Sequence, residues 1–137
     1  MSVISELIRT EANGTISFGD YTLASKTKKD NFELGTDTYK VKTFREITKL
    51  ECNGMFVYES VPGTAVNSLD TTENEVSFKV EGPEDAEITL GLCDSTEYEV
   101  FINGENAGTM KTNLGGKLTL SVELGAEEPT AVRIVKK

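Results

Sequence analysis

The sequence predicts an all-β protein, an antiparallel β-sandwich with at most one short N-terminal helix. Three observations lead there. Apolar residues alternate with period two through most of the second half, as a sheet with one dry and one wet face requires. The separators "EGPEDA", "CDST", "NGENAG", "NLGG" and "GAEEPT" are turn chemistry. No apolar pattern is long enough for a crossover helix, so neighbouring strands should run antiparallel.

Residues 2–11 are ambiguous. Val3, Ile4, Leu7 and Ile8 fit a short amphipathic helix capped by Ser2, or they lead into a hairpin turning at Asn13-Gly14. A short helical turn followed by the hairpin is the preferred reading. "TISFGDYTL" (15–23) and "TYKVKTF" (38–44) read as strands, and "ASKTKKDN" (24–31) as a solvated basic loop.

"ITKLECNGMFVYES" (47–60) reads as a hairpin turning at Asn53-Gly54. It shares Glu-x-Asn-Gly-x-apolar-x-aromatic with "EANGTISF" (11–18). Asn-Gly suits a two-residue type I′ turn, whose central residues both need positive φ. That turn sets Cys52 opposite Met55, Glu51 opposite Phe56, Leu50 opposite Val57 and Lys49 opposite Tyr58. In the first hairpin it sets Glu11 opposite Ile16 and Arg9 opposite Phe18. The small, polar alternate face there makes Ile16 and Phe18 the core face. By analogy Phe56 and Tyr58 share a face, and the strands around them are apolar on both sides. Either a second layer covers these rings or they form a platform for a ligand or partner. Packing is the favoured reading, because burying Phe56 would contribute roughly 2–3 kcal/mol.

"VPGTAVNSLDTTENE" (61–75) lacks sustained alternation and reads as the connection between two strand groups, 1–68 and 69–137. These form either one continuous domain or two packed lobes. In the second group Val76, Phe78 and Val80 point inward, followed by Ile88, Leu90 and Leu92, then Tyr98, Val100 and Ile102. Leu118, Leu120, Val122 and Leu124 follow, and Val132 and Ile134 close the chain. Phe101 falls on the wet phase of its strand, beside Glu99.

Composition narrows the function. The chain of 137 residues carries a formal charge of −9. Residues 71–137 hold 13 acidic residues against 6 basic ones. Such a surface disfavours nucleic acid and anionic membranes. With no histidine, a Ser-His-Asp triad, a cupin-type metal site and a zinc hydrolase are excluded. Two cysteines, Cys52 and Cys93, make no disulfide framework. Neither a signal peptide nor an apolar span is evident, so a cytoplasmic protein with reduced thiols is expected.

Carboxylates offer little. Glu81, Glu84, Asp85 and Glu87 surround a Pro turn and are weak calcium candidates, although the spacing matches no EF-hand. A glycosidase needs two carboxylates at a set separation, which spacing alone does not show, and no tryptophan is present for sugar stacking. Gly63-Thr64 could offer backbone N–H groups to an anion, but the lysine and Gly-rich run of a phosphate loop are missing. No catalytic residue and no cofactor is assigned.

"NGTISFGDYTL", "ITKLECNGMFVYESVPGTAV" and "YEVFINGENAGTMKTNLGGKLTLSVEL" together resemble a group of short bacterial proteins often labelled "endosialidase". The last segment is also similar to small β-sandwich modules appended to carbohydrate-active enzymes. The label implies a sialidase. Sialidases, however, use a six-bladed propeller, repeated Asp boxes and three converging arginines. This chain is too short for the propeller, shows no Asp box and has only Arg9, Arg45 and Arg133. The expectation is therefore a non-catalytic binding or assembly protein acting through a sheet face or edge. Phe56, Tyr58 and Phe101 are its interaction surface, and its partner is a protein, a glycan or another copy of the chain. A carbohydrate-recognising module is the alternative, and a small glycosidase a lesser one.

Overall fold

The computed structural model describes residues 3–125 and 128–137, and among these there is no helix. Thirteen strands lie among the described residues. They are β1 (Ile8–Thr10), β2 (Ile16–Phe18), β3 (Thr27–Leu34), β4 (Asp37–Phe44), β5 (Ile47–Cys52), β6 (Met55–Val61) and β7 (Ala65–Thr71). Then come β8 (Glu75–Glu81), β9 (Ala86–Gly91), β10 (Glu97–Ile102), β11 (Glu105–Lys111), β12 (Lys117–Val122) and β13 (Thr130–Lys136). A seven-stranded sheet has the order β1-β2-β7-β8-β13-β10-β11, and a six-stranded sheet the order β12-β9-β6-β5-β4-β3. All pairings are antiparallel, and the inner faces share one core: the expected sandwich. Strands from both parts of the chain enter each sheet, through the β7–β8 and β6–β9 pairings. Among the described residues no helix is long and apolar enough to cross a membrane.

The alternating segments of the second half place their faces as expected. Val76, Phe78 and Val80, with Ile88 and Leu90, Tyr98 and Val100, Leu118, Leu120 and Val122, and Val132 and Ile134, are all buried. The expected helix near the N-terminus is corrected. Residues 5–6 form a turn, Leu7 has φ +73°, and Ile8 begins β1 opposite Phe18. The sheet offers Ile8 a buried place against Phe18, which an isolated helical turn cannot match.

The first hairpin is shifted by one residue from the expected register: Arg9 faces Ser17, not Phe18. Gly14 alone adopts positive φ (+87°), and its N–H donates to Glu11 O at 3.0 Å. That is a type I turn followed by a left-handed glycine, not a type I′ turn. The Asn13 carboxamide holds it, accepting from the Thr15 N–H and hydroxyl. At Asn53-Gly54 both residues have positive φ (+53° and +78°), as expected.

Two segments expected as loops are strands. The basic loop expected over 24–31 runs from its fourth residue into edge strand β3 (Thr27–Leu34), and the connection expected over 61–75 contains β7 (Ala65–Thr71). A bulge between Asn67 and Asp70, with Ser68 at φ +58°, breaks the alternation of β7. Edge strand β11 turns one apolar side chain, Met110, to the core and so carries no inward apolar stripe to betray it.

Candidate functional site

Phe56, Tyr58 and Phe101 occupy three different environments. The bulge between Leu50 and Glu51 in the β5–β6 pairing keeps Cys52 opposite Met55 and Glu51 opposite Phe56, then sets Leu50 opposite Tyr58. One extra residue on β6 reverses the face of everything after it. Phe56 and Tyr58 therefore do not share a face, and Tyr58 is withdrawn from the interaction surface.

Tyr58 is fully buried and joins the two sheets. Its ring meets Phe18 edge-on at 5.3 Å and Phe78 at 5.8 Å, both on the seven-stranded sheet. Its hydroxyl shares a hydrogen bond with Thr64 Oγ1 at 2.8 Å, and Ser60 Oγ meets the same atom at 2.8 Å. Thr48 Oγ1 donates to Thr64 O and accepts from Thr64 N, and it also meets Thr43 Oγ1. No buried side-chain polar atom among the described residues lacks a partner. This hydroxyl cluster seals one end of the sandwich.

Phe56 is half-buried on the outer face of the six-stranded sheet. Its ring packs over Gly91 of the adjacent strand, where a Cβ would stand 2.3 Å from Phe56 O and 3.1 Å from its Cδ2. Lys117 lies 4.6 Å from the ring centroid and Lys49 5.9 Å away. A missing side chain below and two ammonium groups above account for this ring structurally. The same face carries Lys28, Lys42 and Lys49 opposite one another across β3, β4 and β5. Such a row of like charges costs stability.

Phe101 lies on the outer face of the seven-stranded sheet, in a groove of about 450 Å³ across β8, β13 and β10. The groove is concave because Ser77 and Ala131 are short, while Lys79, Arg133 and Phe101 rise around them. Ser68, held out by the β7 bulge, closes one side, its N–H donating to Ser17 Oγ at 3.0 Å. The Arg133 guanidinium sits 5.4 Å from the Phe101 centroid. It donates to both Glu75 carboxylate oxygens, from Nε at 2.8 Å and from Nη2 at 3.3 Å. These bonds hold the Glu75 carboxyl below its ordinary pKa and raise that of Arg133. Arg133 is thus held beside the ring, and among the described residues no carboxylate lines the groove itself.

The calcium candidates do not converge. Glu81 lies at the end of β8, Glu84 and Asp85 are exposed in the turn, and Glu87 faces Ser121 on the outer side of β9. Asp85 Oδ1 accepts from Leu124 N at 3.0 Å, a turn-fixing role. Among the described residues no group of three or more His, Cys, Asp or Glu is placed to hold a metal ion. Glu73 and Glu75 line a polar cleft at one end of the sandwich. Arg133 holds Glu75 ionised, the reverse of what a general acid needs.

The groove was half legible in the sequence. The wet phase of Phe101 marks it, but Arg133 enters only through the β10–β13 pairing, and Ser68 only through a bulge. Comparison of the chain with protein-family models, with curated proteins and with solved structures gave no match.

Proposed function

We propose that this chain is a non-catalytic binding protein acting through the outer face of its seven-stranded sheet. The observation that carries the reading is Phe101, a large, half-buried ring on an outward position, set in a groove with the Arg133 guanidinium beside it. Tyr58 lies under a second layer, and Phe56 packs over Gly91 beneath two ammonium groups. Phe101 instead presents a half-buried ring to an open groove beside one guanidinium, the arrangement of an interface anchor. The two free thiols suit a reducing, cytoplasmic setting.

A second reading, recognition of a carbohydrate in the same groove, is favoured by the groove's composition. A ring face stands beside a guanidinium, an ammonium and two serine hydroxyls. Stacking on the ring and donation to sugar hydroxyls would follow. The serine hydroxyls and Arg133 provide directional contacts, so this reading requires a narrow range of glycans.

The test compares the wild-type chain with Phe101→Ser and Arg133→Met in a glycan array and in affinity capture from a cell extract. A partner retained by wild type and lost by both variants supports the proposal and tells protein from glycan. Capture that is identical for all three chains contradicts it.

A further inference from the structure

Away from the hydroxyl cluster the two sheets part, and a cleft of about 310 Å³ opens between their inner faces. Leu69 and Val76 wall it from the seven-stranded sheet, and Leu90 and Leu92 from the six-stranded sheet. Both walls contain a bulge, at Val57 on β6 and at Ser68 on β7, and bulges bend their strands. Its polar lining is Thr71 at the end of β7 and, on the other sheet, Asp37 and Tyr39 of β4 with Cys52 of β5. Asp37 Oδ1 is fixed by donation from Asn53 Nδ2 at 3.0 Å. Burial pushes the Tyr39 phenol up to about 12 and raises the Cys52 thiol, so both stay neutral and Asp37 supplies the charge.

We propose that this cleft binds a small amphipathic amine, its aliphatic body between the sheets and its ammonium head at Asp37. The volume lies at the lower end of the range of small-molecule sites, roughly 300–1,000 Å³. A peptide segment does not fit that space with its backbone polar groups satisfied. The head is cationic because Asp37 is the charged group of the lining and the whole chain carries −9. The site uses the inner faces of the sheets and is independent of Phe101.

Cys52 lines the cleft, and Cys93 is exposed outside it, so alkylation of Cys52 in a Cys93→Ser variant reports occupancy. The probes are n-octylamine, n-octanol and n-octanoate. Octylamine is expected to slow alkylation of Cys52 at least tenfold, with octanol weaker and octanoate weakest. Leu92→Trp, which fills the cleft, is expected to abolish protection. Asp37→Asn, a change at the mouth that tests the head group should Leu92→Trp not fold, is expected to erase the advantage of octylamine over octanol. Phe101→Ser is expected to leave protection intact, so this site and the outer groove succeed or fail separately. Unchanged Cys52 reactivity with all three probes overturns the proposal, as does protection that is strongest with octanoate.

Discussion

Tyr58 stands opposite Leu50 across β5 and β6, whereas Phe56, only two positions earlier, stands opposite Glu51. Between them lies one bulged residue, and it decides which ring belongs to the core. Replacing Tyr58 by Ala is expected to cost about 3–5 kcal/mol, the range for a buried aromatic. Tyr58→Phe is expected to cost about 1 kcal/mol, since Thr64 Oγ1 keeps its contact with Ser60. Phe56→Ala should cost clearly less than Tyr58→Ala. Chemical denaturation of the three variants checks the order. Equal losses at 56 and 58 would mean that the two rings share one environment.

The contact between Phe56 and Gly91 gives a second prediction. A Cβ at position 91 would stand 2.3 Å from Phe56 O, a backbone atom that cannot swing aside. Gly91→Ala is expected to destabilise by about 1–3 kcal/mol. Gly54→Ala tests a different cause, because its φ of +78° is strained for alanine although nothing lies within 4 Å of the added carbon. Pairing Gly91→Ala with Phe56→Ala should not restore stability, since the clash is with the main chain.

Lys42 sits between Lys28 and Lys49 in one cross-strand row. Lys42→Glu turns two repulsions into two attractions and is expected to stabilise by about 0.5–1 kcal/mol at low ionic strength. The gain should shrink in molar salt, where screening acts over about 3 Å. Thermal melts at low and high salt check this, and a loss of stability at low salt would contradict the repulsive row.

Much of the architecture was legible, and the failures have physical causes. β8, β9 and β12 alternate without interruption, because each has one face on the core and one in water. β3 and β11 are edge strands whose lysines and small polar residues protect an open edge and mimic loops. β7 hides behind its bulge at Ser68. The hairpins at Asn13-Gly14 and Asn53-Gly54 share a motif but use different turns, so the analogy between them misplaced Arg9. The bulge at Val57 leaves no mark in the sequence, and without it Tyr58 reads as a companion of Phe56. Phe101 was found because a ring on a wet phase is unusual. Arg133, whose guanidinium lies 5.4 Å from its centroid, comes from a strand whose neighbour in the sheet the sequence does not state.

Alkaline pH should unfold the protein. Burial raises the Tyr39 phenol to about 12, and Tyr58 and Tyr98 are also raised by burial. In the unfolded chain these groups ionise near 10. Their stabilisation is therefore fully present below pH 10 and is lost as pH rises through the folded values. Denaturation midpoints are expected to fall between about pH 10 and pH 12. Tyr39→Phe should flatten part of that slope. A midpoint that is constant across the window would show that the tyrosines titrate as they do in the unfolded chain.

Glu75 is the arm that holds Arg133 beside Phe101, through bonds of 2.8 and 3.3 Å. Glu75→Gln is expected to loosen the guanidinium and weaken binding in the groove severalfold, with little loss of fold stability, since exposed ion pairs contribute about 0–1 kcal/mol. Binding that is unchanged in Glu75→Gln but lost in Arg133→Met would assign the contact to charge rather than to a fixed plane.

The most direct measurement is a heteronuclear NMR titration of the isotope-labelled chain with the partner or glycan recovered by capture. Amide shifts are expected to concentrate on β8, β10 and β13 around Ser77, Phe101 and Arg133, and to vanish in Phe101→Ser. Shifts centred on the lysine row of the six-stranded sheet, with Phe101→Ser binding as wild type does, would contradict the account.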